Sequence, residues 1–200
     1  MAVGLPAVII VWTTISRSIT HDEDELPRYS SDLLPACKHA GTAYSTAAAY
    51  TGPAPHPIVV LESLDDSGAN WWSLGGLRGS AGAESWDSLQ VAEVQLVACV
   101  QRTATGAVVA SCPYKSVIAP GSTAPPTVLT MRAADYQVTV YELRTHHEVG
   151  KLTVPGTDNS CPPYERISIG SNDKSAEPLY AQLTPPQLRT TLTPYLSRSA

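Results

Sequence analysis

The chain contains no phenylalanine and has few charged residues. Charged side chains make up 16% of its 200 residues, against about a quarter in an average soluble domain. Four tryptophans and nine tyrosines must supply the aromatic packing, and each carries a polar group that needs a partner when buried. The 13 basic and 18 acidic residues leave a net charge of −5. This excludes the basic surface that holds a nucleic-acid backbone.

Motifs for catalysis, cofactors and metals are also missing. No glycine-rich loop leads into a helix through a lysine, as phosphate binding requires. The stretch Arg78–Gly82, "RGSAG", lacks the first glycine of a nucleophile elbow. No two of the four cysteines have the close spacing of zinc ligands. We therefore expect no enzymatic activity, no cofactor and no metal site.

What the chain does contain favours a loop-rich β protein. There are 17 prolines and 13 glycines, and the segments between them are rich in valine and threonine. We expect a mainly β, antiparallel sandwich-like domain with an irregular Pro/Gly-rich N-terminal part and a short C-terminal helix. The expected organisation is an apolar segment at 1–20, an acidic linker at 21–28, a disulfide-linked β domain at 29–165 and a polar tail at 166–200.

Two hairpins are predicted at the centre of this domain. In residues 91–114, strands at Val91–Arg102 and Ala107–Tyr114 flank a turn at Thr105–Gly106. In residues 136–154, alternating apolar residues lead through a turn at Thr145–His147 into a second strand. A shorter buried strand is expected upstream at Pro57–Glu62.

The C-terminal helix is predicted from its capping residues. Thr184 can cap the first turn, Pro185 suits the first helical position, and Gln187 stands where a capping box requires it. We expect the helix to occupy residues 184–193 and to end at Pro194.

The cysteines predict two disulfides. If Thr105–Gly106 is a two-residue turn, Cys99 faces Cys112 in a non-hydrogen-bonded pair, where cross-strand side chains approach most closely. We therefore favour Cys99–Cys112, with Cys37–Cys161 as its companion, although four cysteines allow three pairings. Disulfides place the domain in an oxidising compartment.

Residues 2–15 form an uncharged apolar segment, and the acidic run His21–Glu25 follows after five further residues. This segment is shorter than the roughly 18–20 apolar residues that cross a bilayer, and it lacks the basic start of a secretory signal. Three interpretations compete: an incomplete transmembrane anchor, a weak export signal, and a buried strand, because "VIIVWTTI" is strongly β-branched. We favour a tether that holds the rest of the chain outside the cytoplasm.

Several stretches also resemble a known family. The segments "VQLVACVQR", "SCPY", "YQVTVYELRTHHEVGKLTV" and "CPPY", with "YSSDLLPACKHAG" and "AAAYTGPAPHPIVVL" upstream, look like bacterial extracytoplasmic domains on membrane-anchored proteins of unknown function. The resemblance covers residues 29–164. It implies a membrane-tethered β domain and no catalytic residues.

Three functions remain open. The first is a non-catalytic structural or interaction module at the cell surface, with a membrane contact through the N-terminal segment and a protein partner. The second is a ligand-binding module in which Trp71, Trp72 and Trp86 line a carbohydrate or peptide groove, although these side chains also suit core packing. The third is an enzyme of unknown class.

Overall fold

The structure is a computed structural model, and it describes residues 21–38, 41–63, 71–78, 89–114, 127–163 and 178–199. The proposed tether at 1–20 lies outside those residues. None of the helices in the described part is long and apolar enough to cross a membrane. The elements in chain order are β1 (His21–Glu23), a first 3-10 helix (Ser30–Cys37), β2 (Thr42–Tyr44), β3 (Ile58–Ser63), β4 (Trp71–Leu77), a second 3-10 helix (Val91–Glu93), β5 (Leu96–Tyr114), β6 (Thr127–Glu142), β7 (Glu148–Pro155), β8 (Leu179–Tyr180) and α1 (Pro185–Ser197).

One mixed sheet organises the chain. Its strand order is β4-β3-β5-β6-β7, and the two-residue β8 also pairs with β6. The pairings of β3 with β5 and of β6 with β8 are parallel, and the other pairings in this sheet are antiparallel. The predicted mainly β class with a short C-terminal helix is confirmed. The acidic segment is part of the packed domain, because β1 pairs with β2.

Alternation along the strands divides the core between the two faces of the sheet. On β5, Ala98 and Val100 face one side, while Val97 and Cys99 face the other. The first side, here called the helix side, packs against α1. The opposite side packs against the 3-10 helices and β2. The sheet is therefore covered on both faces, which explains why β3 reads as an almost continuous apolar run.

Helix α1 belongs to the core of the domain. Leu188, Leu192 and Leu196 recur every four residues, so they share one face, and all three are buried on the helix side. The predicted capping box of Thr184 and Gln187 is confirmed. The prediction that Pro194 ends the helix is wrong: the helix continues to Ser197. Proline removes one hydrogen bond of the helix and crowds the preceding turn, but burial of Leu196 holds the last turn in place.

His56 fastens the end of α1 to the proline-rich segment before β3. Its backbone N–H donates to the carbonyl of Leu196 at 3.0 Å. Its ring is fully buried, with Nε2 2.7 Å from the carbonyl of Arg198 and Nδ1 2.5 Å from Oε1 of Gln95. Because the Arg198 carbonyl can only accept a hydrogen bond, the Nε2 N–H of His56 donates to it. His56 therefore has a structural role.

The second predicted hairpin is confirmed. Strands β6 and β7 pair antiparallel, and the turn between them contains Thr145–His147. His146 adopts a positive φ of 54° there, stacks on Tyr141 and lies 2.7 Å through Nε2 from the carbonyl of Ala36. The turn is thereby attached to the first 3-10 helix.

The first predicted hairpin does not exist. Strand β5 runs without interruption from Leu96 to Tyr114, and its partner is β6. Thr105 and Gly106, predicted as the turn, lie inside the strand. Residues 91–93 form a 3-10 helix in place of the predicted strand start. Three register shifts between Arg102 and Ala110 each insert one extra residue on β5. The strand thus accommodates the glycine through bulges and does not reverse direction.

The predicted cysteine pairing is therefore wrong, although all four cysteines form disulfides. Cys99 and Cys112 lie thirteen residues apart on the same strand, roughly 40 Å in extended chain. Instead, Cys37 bonds to Cys99 and Cys112 bonds to Cys161, each with a Cα–Cα distance of 5.5 Å. The bridges span 62 and 49 residues, so loop entropy predicts a contribution of about 4 kcal/mol from each. Two disulfides indicate an oxidising, extracytoplasmic environment.

Tryptic mapping without reduction tests this pairing. Trypsin cuts after Lys38, Arg102 and Lys115, so it separates all four cysteines onto different peptides. We expect the Cys37 peptide linked to the Cys99 peptide, and the Cys112 peptide linked to the Cys161 peptide, with both pairs separating on reduction. A peptide pair that joins Cys99 to Cys112 would contradict the continuous β5 strand.

Candidate functional site

Strands β5 and β6 extend beyond the two-sided core as a ribbon. We call this ribbon, residues 103–114 of β5 and 127–135 of β6, the arm. The β5 residues of the core are buried through Val100, whereas every residue from Thr103 to Val109 is exposed. An exposed ribbon of this length needs contacts elsewhere to keep a fixed position.

The inner face of the arm provides those contacts. Leu129 and Met131 are buried on it. Cys112 is fully buried in its bridge to Cys161, and the Tyr114 hydroxyl donates to the carbonyl of Pro162 at 3.0 Å. Strand β8 pairs with β6 beside Met131. The arm is therefore braced by chain segments that follow β7.

The outer face of the arm is solvent-exposed and nearly uncharged. Cross-strand partners share a face, and the register puts Val108 opposite Arg132 and Pro113 opposite Val128. Val108 and Val128 are 51% and 57% exposed. The outer face comprises Val108, Ser111, Pro113, Val128, Thr130 and Arg132. Its single charge belongs to Arg132, which donates to the carbonyl of Gly106 at 3.3 Å.

The open edge of β5 is less suited to binding than the outer face. Strand β3 pairs with β5 only as far as Glu62 opposite Val100, and no other described strand pairs with that edge further along. The three bulges between Arg102 and Ala110 bend this edge. Bulges of this kind are a known means of preventing edge-to-edge strand addition.

A polar cleft lies where β3 ends and the arm begins. It consists of two adjoining depressions that share Arg102, with volumes of about 240 and 380 Å³. The smaller is lined by Glu62, Ser63, Arg102, Tyr136, Pro178, Leu179, Tyr180 and Gln182, and the larger by residues 101–105. We call both together the Arg102 cleft. Glu62 lies opposite Val100, and Arg102 opposite Tyr136, so both charges are on the helix side.

Aromatic contacts hold Arg102 in position. Its guanidinium carbon lies 3.5 Å from the ring centroid of Tyr180, a close cation–π contact. Tyr180 is placed by the pairing of β8 with β6. The buried Tyr136 adds a hydrogen bond from its hydroxyl to the carbonyl of Ala181 at 3.0 Å. A bulge directly follows Arg102 on β5, and bulges often redirect side chains beside functional sites.

Glu62 supplies the opposite charge. Burial raises the pKa of this carboxyl, and the neighbouring Arg102 guanidinium lowers the pKa in part. The net shift is upward, so loss of water outweighs the attraction of Arg102. The cleft therefore presents a carboxylate and a guanidinium in a partly dehydrated setting, which strengthens interactions with charged ligand groups.

Of the three tryptophans predicted to line a groove, only Trp71 has a described side chain, so the groove stays a prediction. Trp71 lies on β4 and packs against the core on the side opposite α1. Trp72 follows it on β4, but its side chain is outside what the structure describes, as is all of Trp86. Among the described residues, no three His, Cys, Asp or Glu side chains approach one another closely enough to hold a metal.

Glu62, Arg102 and Tyr180 were not predicted as site residues. One signal was present: a single charge follows each of two apolar runs, Glu62 after "IVVL" and Arg102 after "LVACVQ". Only the parallel pairing of β3 with β5 brings these two positions together. Nothing local in the sequence predicts that pairing.

Replacing the buried charge should stabilise the protein. Folding raises the pKa of Glu62, so the folded state favours the protonated carboxyl, and stability falls as pH rises above the unfolded value of 4.5. We expect Glu62→Gln to unfold at higher denaturant concentration than wild type at about pH 7, with little difference at about pH 3.5. The exposed Glu148→Gln is the control and should show no such gain. A Glu62→Gln variant that is less stable than wild type at neutral pH would contradict the conclusion that burial of Glu62 outweighs its attraction to Arg102.

Comparison with known proteins gives no information on the function of this chain. No protein-family model, curated protein or solved structure matches this chain. The resemblance to bacterial extracytoplasmic domains therefore stays a prediction. The arm and the Arg102 cleft are the features from which a function has to be inferred.

Proposed function

We propose that the chain is a non-catalytic interaction module that docks a protein partner on the outer face of the arm. The observation that carries this proposal is the exposure of Val108 and Val128 on a braced ribbon. A ribbon held by a disulfide and by buried inner-face residues loses little further freedom when a partner binds, which favours association.

The chemistry of the outer face indicates the kind of partner. Apart from Arg132, the face presents valine, proline, serine and threonine side chains. The Arg132 guanidinium already donates to the Gly106 carbonyl. An acidic or basic partner surface would therefore find little charge to pair with. The partner is expected to present an uncharged, partly apolar surface in the same oxidising compartment.

Site-specific photocrosslinking tests this docking face. Val108 replaced by p-benzoylphenylalanine should give a discrete adduct in cells of the native host, because the probe lies in the contact. Adding Val128→Lys should reduce that adduct by about fivefold or more, since burying an unpaired charge costs well over about 1 kcal/mol.

The same probe at Tyr29 is the matched control. Tyr29 is 58% exposed and lies before the first 3-10 helix, away from the arm. It should not give the adduct seen at Val108. An adduct that forms equally from Tyr29, or that survives Val128→Lys unchanged, would contradict docking on the outer face.

A ligand-binding function is the second candidate. The feature that favours it is the Arg102 cleft, where a guanidinium and a carboxylate line one depression. The predicted tryptophan groove gives this alternative no support from the described residues, where Trp71 packs against the core.

We further propose that residues 1–20 tether the module to a membrane. The support is the uncharged stretch at 2–15 with an acidic run beginning five residues after it, together with the oxidising environment that the disulfides indicate. Deleting residues 2–20 should move the protein from the membrane fraction to the soluble fraction and leave Tm unchanged. If the segment is a core strand, the deletion instead lowers Tm strongly, since each buried β-branched side chain is worth about 1.5–3 kcal/mol.

A further inference from the structure

The two disulfides differ in their access to solvent. Cys161 is exposed, although its partner Cys112 is fully buried. In the other bridge, Cys99 is buried and Cys37 is half-buried, and both pack in the core on the side of the sheet opposite α1. A dissolved thiol can therefore reach Cys161 without any movement of the core. Exposed disulfides of this kind exchange with thiols most readily.

The exposed bridge joins the arm to an anchored segment. We call residues 156–163, which follow β7, the strap. Backbone hydrogen bonds between Asp158 and Gln182, with N···O distances of 3.0 and 3.1 Å, attach the strap to the domain. The Ser160 N–H donates to the Asp158 carboxylate at 2.9 Å and fixes the turn directly before Cys161. These contacts do not involve the disulfide, so the strap stays attached when the bridge opens.

The end of the arm is held against the strap by this bridge. We call residues 111–114 and 127–130 the tip of the arm. Strand β8 reaches β6 at Met131, next to the tip. Within the tip, Cys112 lies opposite the buried Leu129. The disulfide is therefore the covalent contact that keeps the inner face of the tip packed against the domain.

Part of the proposed docking face lies on the tip. Pro113 and Val128 form one cross-strand pair of the outer face, and Ser111 and Thr130 form the neighbouring pair. Opening of the bridge returns conformational freedom to these residues. A partner must then order them on binding, which weakens the association.

We propose that the Cys112–Cys161 disulfide is a redox switch, which a dithiol protein of the same compartment opens to release the tip of the arm and weaken docking on the outer face. The effect on docking rests on the function proposed above. The release of the tip does not depend on that function.

The exchange transfers two electrons. A thiolate of the dithiol attacks Sγ of Cys161 from solvent, a mixed disulfide forms, and the electron pair of the broken bond leaves on the Cys112 sulfur. The second thiol of the dithiol then attacks as a thiolate, displaces Cys161 as a thiolate and closes the disulfide of the oxidised reductant. The two protons lost by the dithiol are taken up by Cys112 and Cys161. Because a thiolate is costly at the buried position of Cys112, the first step favours opening of the tip.

Limited reduction of the purified full chain tests which bridge opens first. Dithiothreitol is the probe dithiol, and acid stops the reaction at increasing times. Free thiols are alkylated after denaturation and assigned by mass spectrometry of tryptic peptides. We expect Cys112 and Cys161 to become free about tenfold faster than Cys37 and Cys99, or more. Equal rates for the two bridges, or earlier opening of Cys37–Cys99, would contradict the switch.

Alkylation without denaturation tests the release of the tip. Because Cys112 is fully buried in the oxidised protein, its thiol should react with iodoacetamide only when the tip has moved. After selective reduction we expect Cys112 to react as readily as Cys161. Amides of residues 127–130 should exchange with deuterium about tenfold faster, while those of residues 96–100 keep their protection. A Cys112 thiol that stays unreactive, with unchanged exchange at 127–130, would show that the tip is held without the bridge and would overturn the proposal.

Crosslinking from Val108 connects the switch to docking. With p-benzoylphenylalanine at Val108, combining Cys112→Ser with Cys161→Ser should reduce the adduct by about fivefold or more, because the tip is no longer fixed before the partner binds. Deuterium exchange at residues 96–100 should match that of the protein with intact bridges, which shows that the core of the double variant is folded. If the double variant does not fold, the two alkylation experiments on the unmodified chain decide the proposal.

The outcomes separate the switch from docking itself. An adduct of unchanged yield in the folded double variant would leave docking in place and overturn its control by the bridge. If Val108 gives no adduct even with the bridge intact, the docking function is wrong and its redox control is wrong with it. The alkylation experiments then still decide whether reduction releases the tip.

Discussion

Strand β5 pairs with β6 from Leu96 opposite Glu142 to Tyr114 opposite Thr127, and this pairing positions the other parts of the molecule. Its first half lies in the centre of the sheet, where β3 joins on the other edge and both faces are buried. Its second half leaves the core and becomes the arm. Cys99 lies in the first half and Cys112 in the second, so one disulfide attaches each half to a different segment of chain.

The features that could be predicted from the sequence are those encoded locally. The capping box of α1 involves residues three positions apart, and the β6–β7 turn joins strands that follow each other directly. The first hairpin was mispredicted because Thr105–Gly106 has turn composition, while the partner of Thr105 that keeps β5 extended is Ala134, 29 residues further along the chain. Local turn propensity was overridden by this non-local pairing. The predicted cysteine pairing was wrong for the same reason, because its register was counted from a turn that does not form.

The Arg102 cleft was beyond prediction for a related reason. Its charged residues come from β3 and β5, which are parallel neighbours, and Tyr180 comes from β8, a two-residue strand near the C-terminus. Parallel neighbouring strands are joined by a long connection, and the local sequence does not show which strands become neighbours. By contrast, the alternation predicted within residues 136–154 is confirmed: Tyr136, Val138 and Val140 face the helix side, and Tyr141 faces the other side. Sequence thus indicated which residues share a face, but not which strands meet.

The position of Glu62 bears on whether the cleft has a function. It follows four buried apolar residues of β3 and lies opposite the buried Val100, where an apolar side chain would extend the core. The pKa of the carboxyl is raised, so the attraction of Arg102 does not offset the loss of hydration. A half-buried carboxylate whose lost hydration is not offset by a neighbouring charge lowers stability, and apolar replacements of such groups are often more stable. Residues that reduce stability are common at binding sites, where the charge is needed for the ligand. The unfavourable burial of Glu62 beside Arg102 therefore lowers stability at the point where the two-sided core ends, and it is the feature that supports the ligand-binding alternative.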